Sequence, residues 1–157
     1  MSKVQLHGYR REDFAALHAL DRECFAPGIA YAEDELRYFL SARDAVVRVA
    51  HQDDIIVGFL IAQIYRGRPS FQARIITIDV AQSHRKSGIG TLLMAACEDE
   101  LRRLSITRVR LEVAATNNSA QSFYAKHKYE QISCIPSYYP TGEDALVMQK
   151  QLAPKDV

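Results

Sequence analysis

An α/β fold with helices on both faces of a mixed sheet is what this sequence predicts, and three observations predict it. Runs rich in β-branched residues alternate with segments whose apolar residues recur at helical spacing. Their order is strand, two helices, three strands, helix, strand, helix and two strands. The length of 157 residues, with 48% hydrophobic and 25% charged residues, fits a single domain over residues 1–157.

The first half of the chain predicts a strand, two helices and a β-hairpin, at residues 4–9, 11–25, 31–42 and 45–67. Each helix repeats its apolar residues along one face, and Pro27 with Gly28 ends the first. In the hairpin, two runs of β-branched residues flank the acidic turn formers Asp53 and Asp54. The helices are therefore expected to pack on the sheet that the hairpin begins.

The second half predicts a strand, a long helix, a strand, a short helix and two closing strands, at residues 73–82, 88–104, 108–115, 117–126, 129–135 and 144–152. The long helix is expected to bury an apolar stripe, formed by Leu92, Leu93, Ala96, Leu101 and Leu104. Asparagine and serine side chains at the start of the short helix can cap its free amides.

Charge and cysteine usage narrow the choice of partners. Twenty basic residues against nineteen acidic ones leave a net charge of +1, so we expect neither a nucleic-acid nor a membrane partner. Cys24, Cys97 and Cys134 lack any CxxC pairing, and we interpret them as small core residues and not as a disulfide framework or a metal site. The N-terminal residues lack the apolar run of a signal peptide, which indicates a cytoplasmic protein.

A basic segment leads directly into the long helix. It consists of Arg85, Lys86, Ser87, Gly88, Ile89 and Gly90. The first amides of a helix have no partner within the helix, and the helix dipole adds positive charge, so an anion can bind there. Gly88 and Gly90 leave room for a bulky diphosphate. A glycine-softened helix start with a solvated basic rim explains an isolated motif equally well.

Three motifs together resemble the GNAT superfamily of acyl-CoA N-acetyltransferases. Arg85, Gly88 and Gly90 match the family's pyrophosphate signature: Gln or Arg, two residues, Gly, one residue, then Gly or Ala. Residues 104–129 resemble the strand and helix that follow this signature in the family. Residues 137–150 look like the closing hairpin of the RimI-type branch, which acetylates protein N-termini. The resemblance covers nearly the whole chain and implies acetyl-CoA as co-substrate, a peptide N-terminus as acceptor, and a monomer or homodimer.

The resemblance implies how the cofactor binds. In a GNAT fold, a mostly antiparallel sheet of about seven strands, a bulge in the strand at residues 73–82 splays it from the strand at residues 108–115. The pantetheine arm pairs with the exposed backbone in this gap. The residues implied to pair with it are Ile78, Asp79 and Val80. Thr91 adds to the phosphate site, and Asn117 can donate and accept to the arm, although a plain helix cap explains Asn117 equally well.

Two residues are candidates for acid–base catalysis by direct transfer. Tyr124 is the expected general acid, because a phenol with a pKa near 10 can protonate a departing thiolate with a pKa near 8.5; without the family pattern it would be a core aromatic. Glu112 lies mid-strand and is the expected base, acting through water. The alternative for Glu112 is a carboxylate paired with Arg108 or Arg110.

The acceptor site is expected to consist of aromatic residues. Tyr138 and Tyr139 border the peptide site in the RimI-type pattern, and Tyr31 closes its other side. Two positions depart from the pattern: "PGIAY" at residues 27–31 replaces the usual "PW", and Lys128 replaces a Gly that often has positive φ, at a cost of about 1 kcal/mol. Lysine or a small amine as acceptor, and a non-catalytic acyl-CoA-sensing or protein-binding module, remain as alternatives.

Overall fold

In the computed structural model, which describes residues 2–67 and 71–153, seven strands and four α-helices form in the predicted order. The strands are β1 (Gln5–His7), β2 (Ala45–Gln52), β3 (Ile55–Tyr65), β4 (Gln72–Val80), β5 (Arg108–Ala114), β6 (Glu130–Ile135) and β7 (Ala145–Gln151). The helices are α1 (Phe14–Cys24), α2 (Glu33–Ser41), α3 (Ile89–Arg103) and α4 (Asn118–Lys126). Short 3₁₀ turns at Arg11–Asp13 and Gln82–His84 precede α1 and α3.

The strands form a single sheet in the order β1-β2-β3-β4-β5-β7-β6. Every neighbouring pair is antiparallel except β4 and β5, which are parallel. The hairpin predicted between β2 and β3 is present, and Asp53 and Asp54 both have positive φ, as a tight turn of that hand requires. The predicted class, a mixed and mostly antiparallel sheet, is confirmed.

The parallel pair is splayed. Strands β4 and β5 pair only through residues 72–74 and 108–110. On the other side of β4, Ile61 lies opposite Thr77 while Ala62 lies opposite Ile75, so Ile76 is an extra, bulged residue. Beyond the bulge, β4 and β5 diverge. We call the gap between residues 75–80 of β4 and residues 111–114 of β5 the fork.

Helices cover both faces of the sheet. One apolar cluster joins α1 and α2 to the sheet, with Leu17, Leu36, Val49, Phe59 and Ile61 fully buried. The other lies under α3 and α4, with Leu60, Leu93, Met94, Leu101 and Val109 fully buried. The fork therefore opens between two packed layers, which hold its two strands in place.

The predicted buried stripe of α3 is partly wrong. Leu92 is 46% exposed, and Ala96 and Leu104 are only half-buried. The buried residues are Ile89, Leu93, Met94, Cys97, Glu98 and Leu101. The sequence pattern allowed either phase, and the close packing of Ile89 and Leu93 on β3 sets the observed one.

Gly58 explains how α3 comes so close to the sheet. A Cβ atom on this residue would lie 2.8 Å from the carbonyl oxygen of Asp79, and 3.2 Å and 3.3 Å from the side chains of Ile89 and Leu93. Such separations leave no room for a side chain, so only glycine fits. The start of α3 is thereby held against the end of β4.

Two further expectations have mixed outcomes. The three cysteines are free, but only Cys97 is in the core; Cys134 is exposed because β6 is an edge strand whose residues are all exposed. Lys128 adopts the positive φ typical of the glycine that it replaces, at 73°. None of the described helices is long and apolar enough to cross a membrane.

Candidate active site

The basic segment before α3 forms an open cradle, residues 85–91. Gly88 caps α3 with φ of 88°, and Lys86 also has positive φ, at 62°. A Cβ atom on Gly88 would meet nothing within 4 Å, so the backbone conformation, and not space, selects glycine there. Residues 85–88 are exposed, and the first amides of α3 point out of the helix without an intrahelical partner. This arrangement suits a diphosphate.

Packing gives a second reason, besides the predicted room for a diphosphate, why residue 90 is glycine. A Cβ atom at this position would lie 3.0 Å from Cε1 of Phe123 on α4. The glycine therefore allows α3 and α4 to pack closely, in addition to any room that it leaves for a ligand. The sequence could not show this contact because the two residues are far apart in the chain.

Side chains tie the cradle to the rest of the site. Arg85 donates from Nε to the carbonyl oxygen of Val80, 3.2 Å away, and Ser87 donates to the carbonyl oxygen of His84. Thr91 Oγ1 lies 3.2 Å from Nε2 of His127. The cradle is thus fixed to the end of β4 on one side and to α4 on the other.

His127 directly follows α4 and is half-buried. Its ring packs against Phe123 with centroids 4.5 Å apart. Desolvation lowers the pKa of His127 below its usual value. His127 is therefore part of the contact between α3 and α4.

The fork leaves one edge of β4 without a strand partner. Val80, Asp79 and Ile78 pair with Gly58, Phe59 and Leu60 of β3, while their other edge faces the fork. Asp79 is 1% exposed, so its side chain is not available to a ligand in the fork. Extended backbone of this kind can accept an added strand-like chain.

Asn117 caps α4. Its side-chain oxygen accepts a hydrogen bond from the amide of Ala120, 3.1 Å away. The helix cap, which was the alternative explanation for Asn117, is therefore present. The cap uses only the oxygen of the Asn117 side chain, so its NH₂ group keeps its capacity to donate.

Glu112 lies just beyond the point where β4 and β5 separate. Its side chain is 9% exposed, and Oε2 accepts a 2.8 Å hydrogen bond from Nε of Arg74. The alternative partners Arg108 and Arg110 are not the ones it uses. Arg74 also donates from Nη2 to the hydroxyl of Tyr138, 3.0 Å away. Burial disfavours the charge of Arg74, but the bond to Glu112 outweighs it, and the pKa of Arg74 rises.

Tyr124 is 8% exposed and extends from α4 into the core below the fork. Burial raises its pKa above the usual tyrosine value, and a negative charge on Asp79 raises it further. The value near 10 used in the sequence analysis is therefore too low for this phenol. Tyr124 remains protonated through the neutral range and can act only as a proton donor there.

The three tyrosines predicted to line the acceptor site come from two loops that meet. The Tyr31 hydroxyl donates to the carbonyl oxygen of Ile76, the bulged residue, 3.2 Å away. Tyr138 and Tyr139 stack edge to face at 5.0 Å. Burial raises the pKa of Tyr139 to about 12. The loops touch at Gly28, where a Cβ atom would lie 3.1 Å from Thr141.

These residues form one cluster around the fork. The pKa of Tyr31 responds first to burial and then to Arg74, Tyr138 and Tyr139. The pKa of Tyr139 responds to Glu112, and that of Tyr124 to Asp79, Tyr139 and Tyr31. Candidate acid, base and acceptor tyrosines are therefore close enough to act on one another electrostatically.

Sequence reasoning missed two residues that bond to the cluster: Arg74, which donates to Glu112 and Tyr138, and Asp21, which accepts from the Tyr31 amide. Arg74 gave no signal, because its partner depends on the register between β4 and β5. Asp21 gave a weak one: it follows Leu17 by four residues and so lies on the buried face of α1, an unusual position for a carboxylate. Within residues 2–67 and 71–153, no group of three or more His, Cys, Asp and Glu side chains could hold a metal ion.

Comparison with known proteins shows which family this fold and site belong to. The profile of the Acetyltransferase (GNAT) family matches residues 14–129. The chain belongs to this family. The GNAT chain is 28% identical over 137 residues to the N-alpha-acetyltransferase of Sulfurisphaera tokodaii, covering 79% of this chain and 82% of that protein.

Solved GNAT structures have the same fold. The ribosomal-protein-S18-alanine N-acetyltransferase of Escherichia coli matches with a TM-score of 0.86 and 20% identity over 98% of this chain and 97% of that one. Arabidopsis thaliana Naa50, in complex with the bisubstrate analogue CoA-Ac-MVNAL, matches with a TM-score of 0.82 and 25% identity, over 94% and 97% of the chains.

As a GNAT enzyme, the protein is an acetyl-CoA-dependent N-acetyltransferase. The outward amides of the cradle fit the cofactor's diphosphate, and the free edge of β4 fits its pantetheine arm. The residues that would hold the cofactor are therefore those of the cradle, Ile78 to Val80, and Asn117.

Proposed function

We propose that this enzyme transfers the acetyl group of acetyl-CoA to the N-terminal α-amino group of a protein or peptide. The observation that carries the proposal is the cluster at the fork: Glu112 on β5, Tyr124 on α4, and tyrosines from two converging loops. The N-alpha-acetyltransferase of Sulfurisphaera tokodaii and the complex of Naa50 with a CoA–peptide analogue support the same acceptor class.

Glu112 is the proposed base. Arg74 binds its Oε2 atom and leaves Oε1 to accept a hydrogen bond from water, which takes the proton of the attacking amine. An α-amino group has a pKa near 7.7 to 8.0, so roughly a tenth is neutral at pH 7, whereas a lysine amine near 10.4 would require about 3.5 kcal/mol more. A carboxylate base is therefore better matched to an α-amine.

Tyr124 is the proposed acid. Acetyl-CoA supplies the acetyl group: the amine nitrogen bonds to the carbonyl carbon, the carbon–sulfur bond breaks, and CoA leaves as a thiol. The Tyr124 phenol donates the proton that the sulfur needs. Its raised pKa keeps that proton available until the leaving group develops charge.

The remaining proposed roles are binding roles. Residues 85–91 hold the diphosphate, the backbone of Ile78, Asp79 and Val80 pairs with the pantetheine arm, and the Asn117 NH₂ group donates to it. Tyr138 and Tyr139 wall one side of the acceptor entry. Because the Tyr31 hydroxyl is bonded to Ile76, Tyr31 contributes its ring to the opposite wall.

The acceptor class is tested with pairs of lysine-containing peptides that differ only in a free or a blocked N-terminus. Mass spectrometry after incubation with acetyl-CoA should locate the acetyl group on the α-amine of the free peptides and leave the blocked ones unchanged. Acetylation of lysine in the blocked peptides would instead make this enzyme a lysine acetyltransferase. CoA release with small amines alone would make it a small-molecule acetyltransferase.

A further inference from the structure

Two buried carboxyl groups lie between α1 and β4, next to the fork. Asp21 of α1 is 0% exposed and Asp79 of β4 is 1% exposed. Among the described residues, neither forms an ion pair with a lysine, arginine or histidine. Buried carboxylates without a cation are costly, so their hydrogen bonds decide how they are accommodated.

Each carboxyl group uses one oxygen atom. Oδ2 of Asp21 accepts a 2.8 Å hydrogen bond from the amide of Tyr31, and Oδ1 of Asp79 accepts one from the hydroxyl of Thr77. Oδ1 of Asp21 and Oδ2 of Asp79 are buried and have no partner. Tyr31 bonds to Asp21 through its amide and to Ile76 of β4 through its hydroxyl, and the Cys24 thiol of α1 bonds to Val80 of β4, so Asp21 lies against the part of β4 that carries Asp79.

One proton between the groups removes both the repulsion between two buried charges and the lack of partners for the two oxygens. Two buried carboxylates in contact cannot both be ionised at low cost, whereas a protonated one donates to the other. That single bond gives a partner to both unpaired oxygens. Burial, and then the bond to Asp21, raise the pKa of Asp79 well above its usual range.

The other groups that face Asp79 do not supply the positive charge that would neutralise an ionised carboxylate. The guanidinium of Arg85 lowers the pKa of Asp79 less than burial and Asp21 raise it, and Nε of Arg85 is bonded to the Val80 carbonyl oxygen. The Cys24 thiol of α1 donates to the same carbonyl oxygen. Tyr124 of α4 is a neutral phenol, and so is Tyr31 of the α1–α2 loop.

We propose that Asp21 and Asp79 share one proton, and that this bond fixes the α1–α2 loop against β4, which makes both residues positioning residues for the acceptor wall. Two hydrogen bonds attach the loop, from the Tyr31 amide to Asp21 of α1 and from the Tyr31 hydroxyl to Ile76 of β4, and the shared proton attaches α1 to β4. The assignment of this wall rests on the proposed function.

Loss of the shared proton has two consequences at the fork. Two negative charges repel α1 and its loop from β4, which displaces the Tyr31 ring. The full charge on Asp79 also acts on Tyr124 and makes its phenol a weaker acid. Rising pH should therefore raise KM for the acceptor and lower kcat together.

Isosteric variants separate the proton from the hydrogen bond. In Asp79→Asn, the side-chain oxygen still accepts from Thr77 and the NH₂ group donates to Asp21, so the bond remains without a shared proton that rising pH could remove. Asp79→Ala removes the bond and leaves Asp21 alone. Asp53→Asn, in the exposed hairpin turn, is the matched control.

The first measurement needs no activity. NMR of ¹³C-labelled aspartate carboxyl groups, together with the exchange protection factor of the Tyr31 amide, is followed from acid to alkaline pH. The Asp79 carboxyl should stay protonated at neutral pH, and Tyr31 protection should fall as that proton is lost. Asp79→Asn should keep Tyr31 protected throughout, whereas Asp53→Asn should behave as wild type. Two ionised carboxyl groups at neutral pH, or Tyr31 protection that ignores the titration, would overturn the proposal.

The second measurement is steady-state kinetics with a peptide that has a free N-terminus. In the wild type and Asp53→Asn, KM should rise severalfold over the same titration, and in Asp79→Asn it should not. A protein that acetylates peptides but shows two ionised carboxyl groups overturns the shared proton alone. A shared proton in a protein that acetylates no peptide overturns the acceptor assignment and the proposed function.

Discussion

Glu112 shows what the sequence could and could not predict at the scale of a residue. Its place in the strand and its chemistry were readable, because a carboxylate among apolar residues is costly unless it has a use. Its partner Arg74 was not readable, since the register of two strands brings them together across the start of the fork. The proposed bond between Asp21 and Asp79 was not readable either, because it depends on how α1 packs against β4.

The proposed acid and base make the sharpest prediction at this scale. Tyr124→Phe and Glu112→Gln should each lower kcat by about 10²- to 10⁴-fold, the usual contribution of one acid or base. The affinity for acetyl-CoA should change little, because neither side chain holds the diphosphate. Because the pKa of Tyr124 is raised, wild-type kcat should also show no alkaline fall from this phenol near pH 10.

The matched controls are Tyr38→Phe and Glu130→Gln, both at exposed positions. They should retain wild-type kcat in steady-state assays, with calorimetry used for acetyl-CoA affinity. Unchanged kcat in both Tyr124→Phe and Glu112→Gln would remove the catalytic roles assigned to these two residues.

At the scale of elements, periodicity gave the order and type of every strand and helix, with boundaries within three residues. Periodicity did not show which face of α3 is buried, because Leu92 and Leu93 are equally apolar and only contact with the sheet decides which of them is buried. Gly58 makes that contact possible, because it lets Ile89 and Leu93 of α3 pack against β3. Its signal in the sequence, a glycine inside a strand, indicated a close approach without saying of what.

Gly58→Ala should therefore destabilise the protein. The added methyl group would overlap the backbone oxygen of Asp79, and relieving that overlap should cost about 1–3 kcal/mol of unfolding free energy. The displaced start of α3 should also weaken acetyl-CoA binding. Urea unfolding measures the first effect and calorimetry the second.

Gly8→Ala is the matched control, because a Cβ atom there meets nothing within 4 Å and its φ is not positive. It should change the unfolding free energy by less than about 1 kcal/mol. Equal stability of Gly58→Ala and the wild type would contradict the packing described for α3.

At the scale of the whole molecule, the fork and the cradle are consequences of one chain path. The bulge at Ile76 turns β4 away from β5, Gly58 brings α3 against the end of β4, and Gly88 starts α3 with its amides exposed. The glycine motif predicted the cradle directly. The fork came from the family resemblance, and the register shift between β3 and β4 gives it a physical cause.

The central claim, that acetyl-CoA lies in the fork with its diphosphate in the cradle, is tested most directly by amide hydrogen exchange with and without acetyl-CoA. Binding should slow exchange in residues 75–80 and 86–91 and leave residues 108–110, already paired with β4, unchanged. Slowed exchange confined to other parts of the chain, or no effect at saturating acetyl-CoA, would contradict the account.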